Sequence, residues 1–107
     1  MSEIKFKGSG KHRQTAVGQT PQGENVNDVS QELLPRNDKR VGLIAGNSGV
    51  LDAFGAWDVD AEVGKGIFLP KGQVVVLTDG AVSRGPFSVI TGMGTNVDVT
   101  LQEMNRE

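Results

Sequence analysis

The sequence GKGIFLPKGQVVVLTD, residues 64–79, places two apolar runs on either side of a short turn. Pro70 presets one backbone angle and Gly72 permits a positive φ, so this turn predicts a tight reversal between two strands. The second run, VVVL at 74–77, shows no alternation with polar residues, which is typical of a strand covered on both faces. We therefore predict a β-hairpin at the centre of the core.

Length and composition favour one small soluble domain. The chain has 107 residues and no cysteine, which excludes disulfides and thiolate metal sites. We find neither the apolar core of a signal peptide nor an apolar run long enough to span a membrane. We therefore expect no membrane partner.

Short apolar runs punctuated by turn residues continue from residue 41 to residue 101. They predict about seven short strands without a convincing helix, which is the pattern of a small antiparallel β-sandwich or barrel. Within this region WDVDAEV, residues 57–63, alternates apolar and acidic side chains and predicts a strand. Residues 26–35 match either a helix or a strand, and Pro35 ends either one.

Residues 1–25 are polar and rich in glycine, with too few apolar side chains to offset their ordering entropy. Residues 1–20 carry four basic residues against one acidic residue, a net charge of +3, whereas residues 41–107 carry four against eight, a net charge of −4. We predict an extended N-terminal arm over residues 1–25, ordered only against a partner, and a sandwich domain over residues 26–107. A basic arm on an acidic body predicts contact with a negative surface, and a merely solvated tail is the alternative.

No constellation of residues predicts an enzyme or a cofactor. His12 is the only histidine, and without a second imidazole or a cysteine it supports neither a catalytic triad nor a common zinc site. Asp58, Asp60 and Glu62 resemble the start of a calcium loop, but the glycine and glutamate that such a loop requires later are missing. We interpret these carboxylates as the solvent-exposed face of a strand. Ion binding by these residues between subunits is the alternative.

Phe54 and Trp57 stand out because aromatic residues are scarce in this chain. They are either core residues or anchors of a subunit contact, and the sequence does not separate the two. The Gly-x-Gly pairs at 64–66 and 92–94 complete no nucleotide-binding loop, and we interpret them as turns.

Several motifs follow one another in a fixed order over residues 33–101: LLP at 33–35, RNDKR at 36–40, VGLI at 41–44, NS at 47–48, GKGIFLPKG at 64–72 and FSVITGMGTNVDV at 87–99. This layout resembles that of small virion structural proteins of tailed bacteriophages. The resemblance covers the body and leaves the N-terminal arm outside.

The resemblance implies a jelly-roll-like sandwich and a structural role, as in capsid cement or decoration proteins. It implies the major capsid protein as partner and the outer capsid surface as location, after synthesis in the host cytoplasm. We expect a homodimer or homotrimer and no nucleic-acid partner, with Phe54 and Trp57 as the possible subunit contact. The predicted capsid-binding residues of the arm are Ile4, Lys5, Phe6, Lys7, Lys11 and Arg13.

Two other roles remain open. One is a small tail, fibre-base or receptor-facing virion component built on the same sandwich. The other is a carbohydrate- or ligand-binding β module, against which the few aromatic residues argue.

Overall fold

The computed structural model describes residues 3–5, 15–92 and 97–107. Within these ranges the chain forms ten strands and a single 3-10 turn at Asp79–Ala81. The strands are β1 (Glu3–Lys5), β2 (Thr15–Gly18), β3 (Gln22–Val26), β4 (Gln31–Leu34), β5 (Arg40–Asn47), β6 (Ala53–Trp57), β7 (Ile67–Leu69), β8 (Val74–Thr78), β9 (Phe87–Thr91) and β10 (Val97–Arg106). The predicted all-β antiparallel sandwich is confirmed, with more strands than the sequence predicts.

The strands form two antiparallel sheets. The large sheet has the order β1-β2-β10-β5-β8, and β3 also pairs with β10. Because β10 has ten residues, one of its edges holds β3 along residues 97–101 and β2 along residues 104–106. The small sheet has the order β4-β9-β6-β7.

From β3 onward, the chain follows the path of one long antiparallel ribbon folded across both sheets. β6 pairs with β7 at the closed end of the ribbon, and β5 then pairs with β8, β4 with β9, and β3 with β10. These four pairs alternate between the small and the large sheet. Two further pairings, β10 with β5 and β9 with β6, join the ribbon into continuous sheets.

The core lies between the sheets and follows from the two-residue period of the strands. Along β10, for example, Val97, Val99 and Leu101 are buried, whereas Asp98 and Thr100 are exposed. Inward side chains of both sheets form one cluster: Val26, Leu33, Leu34, Leu43, Ala45, Ala53, Leu69, Phe87, Val89, Val97, Val99 and Leu101. Removing this apolar surface from water is the main stabilising contribution to the fold.

The predicted hairpin over residues 64–79 is wrong. β7 belongs to the small sheet and β8 to the large sheet, so the turn at residues 70–73 crosses from one sheet to the other. β8 lies at the edge of its sheet, and the side chains of Val74 and Val76 are 66% and 63% exposed. An apolar run indicates β-propensity, whereas strand order depends on pairing with distant segments.

The strand predicted over residues 57–63 is also wrong. β6 ends at Trp57, and Asp58 has a φ of 68°, a left-handed value that turns the chain out of the sheet. The alternating residues that follow lie in the loop between β6 and β7, where Val59 and Val63 are exposed. For residues 26–35, which matched either a helix or a strand, the structure gives a strand, β4.

The boundary predicted between residues 25 and 26 falls inside β3. β2 and β3 pair with β10, so the structure places them in the sandwich and not in a separate arm. The long edge of β10 supplies backbone hydrogen bonds within the same chain, which a count of apolar side chains does not reveal. β1 pairs with β2, and residues 6–14 of the predicted arm lie outside the described residues.

Candidate interaction surfaces

The outer edges of the two sheets are where this fold can accept another strand, because edge strands carry unpaired backbone groups. Four of the five edge strands within the described ranges have features that discourage pairing. β7 has three residues and is followed by Pro70, while β4 has a register shift and is followed by Pro35. β3 follows Pro21 and contains Glu24, and β1 has three residues with a charged residue at each end.

β8 is the exception. Its sequence VVVLT contains neither a charged residue nor a proline. Val74 and Val76 project into solvent, whereas Val75 and Leu77 pack against the core cluster. β8 therefore offers an uncharged edge with apolar side chains on both faces, which is a suitable surface for strand pairing.

A bulge sets the hydrogen-bonding phase at the start of β8. The Asn47 N–H donates to the Gln73 carbonyl at 2.9 Å, and the Gly72 N–H donates to the Asn47 carbonyl at 2.7 Å. Gly72 has a φ of 72°, which glycine adopts without a steric penalty. Residues 72 and 73 thus oppose one residue of β5.

The bulge determines which backbone groups of β8 face outward. Bonded pairs alternate along an antiparallel ladder, so the backbone groups of Val75 and Leu77 bond to β5. Those of Val74, Val76 and Thr78 point to the open edge. Val74 and Val76 therefore present both a donor and an acceptor to a partner, and Thr78 presents its N–H, because its carbonyl accepts the first hydrogen bond of the 3-10 turn at Asp79–Ala81.

A groove of about 330 Å³ lies beside the start of β8 on the outer face of the large sheet. Gly46 contributes no side chain between its cross-strand neighbours Val74 and Thr100, and a Cβ added there would lie 2.8 Å from Thr100 Oγ1. The lining residues are Gly46, Asn47, Ser48, Gly72, Gln73, Val74 and Thr100, none of which is titratable. The groove therefore suits contact with a peptide chain better than acid–base chemistry.

The N-terminal strand lies at the opposite edge of the large sheet. Ile4 pairs with Ala16 and Lys5 with Thr15, so these two residues of the predicted arm belong to β1. The other predicted capsid-binding residues lie outside the described residues: Phe6, Lys7, Lys11 and Arg13. His12 also lies outside them. The basic segment therefore begins on a sheet edge.

Arg40, the last residue of the RNDKR motif, is fully buried at the start of β5. Its Nε donates to Glu103 Oε2 at 2.7 Å. The guanidinium carbon lies 5.0 Å from the centre of the Trp57 ring. Its other nitrogens donate to three backbone carbonyls: Nη1 to Ser83 at 2.8 Å and Gly85 at 2.7 Å, and Nη2 to Pro35 at 2.8 Å. Arg40 joins β5, β10 and two loops, so its role is structural.

Phe54 and Trp57 occupy different environments. Trp57 packs 4.5 Å from the Phe87 ring, and its Nε1 donates to the Ala81 carbonyl at 3.0 Å, so it belongs to the edge of the core. Phe54 stacks on Phe68 with ring centroids 5.5 Å apart, and Phe68 is half exposed. The predicted subunit contact through Phe54 and Trp57 stays a prediction.

Asp58, Asp60 and Glu62 do not form a ligand set. Among the described residues, no three acidic or histidine side chains come close enough to hold a metal ion. Asp58 Oδ2 accepts a hydrogen bond from Ser83 Oγ at 2.8 Å, and Glu62 forms an exposed ion pair with Lys65. Ion binding between subunits stays a prediction.

The amino-acid sequence alone does not indicate the β8 edge or the buried position of Arg40. The only sequence signal for the edge is an uncharged VVVLT run between Lys71 and Asp79, which becomes meaningful once the strand order is known. For Arg40 we find no sequence signal, because burial depends on loops distant in sequence.

No protein-family model matches the chain, and no curated protein sequence is significantly similar to it. The described part of the chain contains no helix of the length and apolar character needed to cross a membrane.

Proposed function

We propose that this chain is a non-enzymatic virion structural protein of the capsid cement or decoration type, which binds the assembled major capsid shell and stabilises it. The observation that carries the proposal is the position of β1. This strand belongs to the basic N-terminal segment and forms an outer edge of the large sheet. Residues 41–107, in contrast, carry a net negative charge.

The path of the chain supports the proposal. A ribbon of eight strands, β3 to β10, alternates between two sheets, which is the arrangement expected of a jelly roll. Jelly rolls occur widely in viral capsid proteins. The motifs that resemble phage virion proteins fall on the body of this ribbon: LLP closes β4, VGLI lies in β5, and FSVIT forms β9.

The proposed role requires only that the protein binds the capsid; no catalysed reaction is involved. The basic N-terminal segment that includes β1 can lie along a groove of a capsid subunit. The positive charge of residues 1–20 would attract a negatively charged capsid face. Repetition of such contacts over a shell multiplies modest affinities through effective concentration.

Charge reversal at the N-terminus tests the proposal. The double variant Lys5→Glu/Lys7→Glu is expected to lose capsid co-sedimentation by about tenfold or more at low salt, because it reverses the attraction. The matched control, Lys39→Glu/Lys65→Glu, changes the net charge equally at two exposed residues elsewhere and is expected to co-sediment like the wild type. Equal loss in both variants would contradict a specific role for the N-terminus. Antibody labelling of particles distinguishes the capsid from the tail, where a tail or fibre-base component would be found.

The Phe54–Phe68 pair favours a second candidate, a carbohydrate-binding module. Phe68 is half exposed in this stacked pair on the outside of the small sheet, and sugars bind to exposed apolar aromatic surfaces. A glycan-binding screen with the wild type and Phe68→Ala tests this candidate. Binding that disappears in Phe68→Ala would support it over the capsid role.

A further inference from the structure

We infer that β8 is the pairing site for a second copy of this chain, with the two β8 strands antiparallel about a two-fold axis at Val76. The inference goes beyond the proposed function and does not depend on it. It rests on the unprotected edge described above, on the phase of its backbone hydrogen bonds and on the charges at its two ends.

The backbone register of β8 is self-complementary. With Val76 opposite the partner's Val76, Val74 lies opposite the partner's Thr78, and all three residues have outward backbone groups. Val76 can donate one bond and accept one, and each Thr78 N–H can donate to the opposite Val74 carbonyl, which gives about four hydrogen bonds between the two chains. A shift by one residue would oppose outward groups to groups already bonded to β5, so the phase allows only shifts by an even number of residues.

The side chains agree with the same register. On the outer face, Val76 meets the partner's Val76, and both are exposed in the single chain. On the inner face, Val75 meets the partner's Leu77, and both pack at the margin of the core cluster. The pairing would therefore extend both the sheet and its apolar inner layer across the axis.

The charges around β8 favour a second copy over the chain's own basic segment. In the sequence Lys71 precedes β8 and Asp79 follows it, so antiparallel pairing brings residues of opposite charge near each other. The Lys71 end also carries Asp52, whose Oδ1 accepts a hydrogen bond from the Lys71 N–H at 3.0 Å. β8 itself offers no carboxylate to Lys5, Lys7 or Lys11. An isologous contact needs a patch that complements itself, and β8 meets that requirement.

Sedimentation velocity over a concentration series tests the pairing. We expect the wild type to form a dimer and Val76→Lys to remain a monomer, with a dissociation constant raised at least about a hundredfold, because two lysines would face each other at the axis. The matched control is Val29→Lys, at an equally exposed valine beside the opposite edge of the sandwich, which is expected to dimerise like the wild type. A wild type that stays monomeric at every concentration would overturn the inference.

Disulfide trapping tests the register without depending on the folding of a lysine variant. The chain has no cysteine, so each single substitution introduces the only thiol. Val76→Cys is expected to cross-link on mild oxidation, since paired residues have Cα atoms about 5.5 Å apart. Val74→Cys, equally exposed on the same strand, would lie about 14 Å from its counterpart and should not cross-link. Equal cross-linking of both variants would overturn the proposed axis.

Capsid co-sedimentation of the wild type, measured beside its sedimentation velocity, keeps the two proposals distinguishable. A wild type that binds capsids but never dimerises would overturn the pairing and leave the capsid role intact. A wild type that dimerises through β8 but does not bind capsids would overturn the capsid role and leave the pairing intact.

Discussion

Arg40 makes four hydrogen bonds from a side chain that is fully buried. Its guanidinium engages Glu103 and three backbone carbonyls, and within the described residues no buried side-chain nitrogen or oxygen lacks a partner. A buried arginine with this many partners is costly to remove because the remaining acceptors lose their donor in a place that water reaches poorly.

We therefore expect Arg40→Met to lower the free energy of unfolding by about 3 kcal/mol. The control Arg36→Met removes an arginine whose ion pair with Asp38 is exposed on both sides, and it should change stability by no more than about 0.5 kcal/mol. Urea denaturation measures both values. Equal effects of the two substitutions would contradict the structural role assigned to Arg40.

Gly55 lies in β6 directly beneath the Phe87 ring. A Cβ atom added there would lie 2.5 Å from Phe87 Cζ, closer than van der Waals contact permits. Gly55→Ala is expected to destabilise the fold by about 1–3 kcal/mol, because a packed core has no room to move the ring. Gly80→Ala is the matched control: no atom lies within 4 Å of its added Cβ, so thermal melting should be nearly unchanged.

At the scale of elements, β2 and β3 change the meaning of an N-terminal deletion. Both strands pair with β10, so deletion of residues 1–25 would expose one whole edge of that strand. We expect this deletion to lower the melting temperature strongly or to prevent folding. Deletion of residues 1–14 retains β2 and β3 and should melt close to the wild type. Similar melting of both deletions would contradict the strand assignment.

Sequence reasoning identified the strand segments better than their arrangement. Alternation of apolar and polar residues in VDVTL at 97–101 indicates a strand, and this segment does begin β10, where one face is buried and the other is solvated. The same alternation in residues 57–63 gave a wrong strand prediction, because the positive φ of Asp58 ends the strand. The polarity of side chains does not reveal such a backbone angle. The valine run of β8 likewise could not reveal that its strand is an edge.

The candidate surfaces were predicted less well than the fold. Ile4 and Lys5 were selected by charge and composition, and the structure adds that their strand is an edge of the large sheet. The β8 edge emerges only from comparing it with the other edges, which requires the complete strand order. Its outward backbone groups depend further on the bulge at Gly72.

At the scale of the whole molecule, the two proposals assign one role to each outer edge of the large sheet. We propose β8 as the edge that pairs with a second copy, whereas β1 carries the basic segment at the other side of the sheet. A pair joined through β8 would present one basic segment at each far end. Such a molecule could bridge two capsid subunits, because each end can bind a separate site and the two bindings reinforce each other.

The central claim is that the chain stabilises an assembled shell, and the thermal disruption of capsids prepared with and without it tests that claim most directly. Capsids lacking the protein are expected to disrupt at a lower temperature. Adding the wild type should restore their stability, whereas adding the form without residues 1–14 should not. Capsids that disrupt at the same temperature with and without bound wild-type protein would contradict the account.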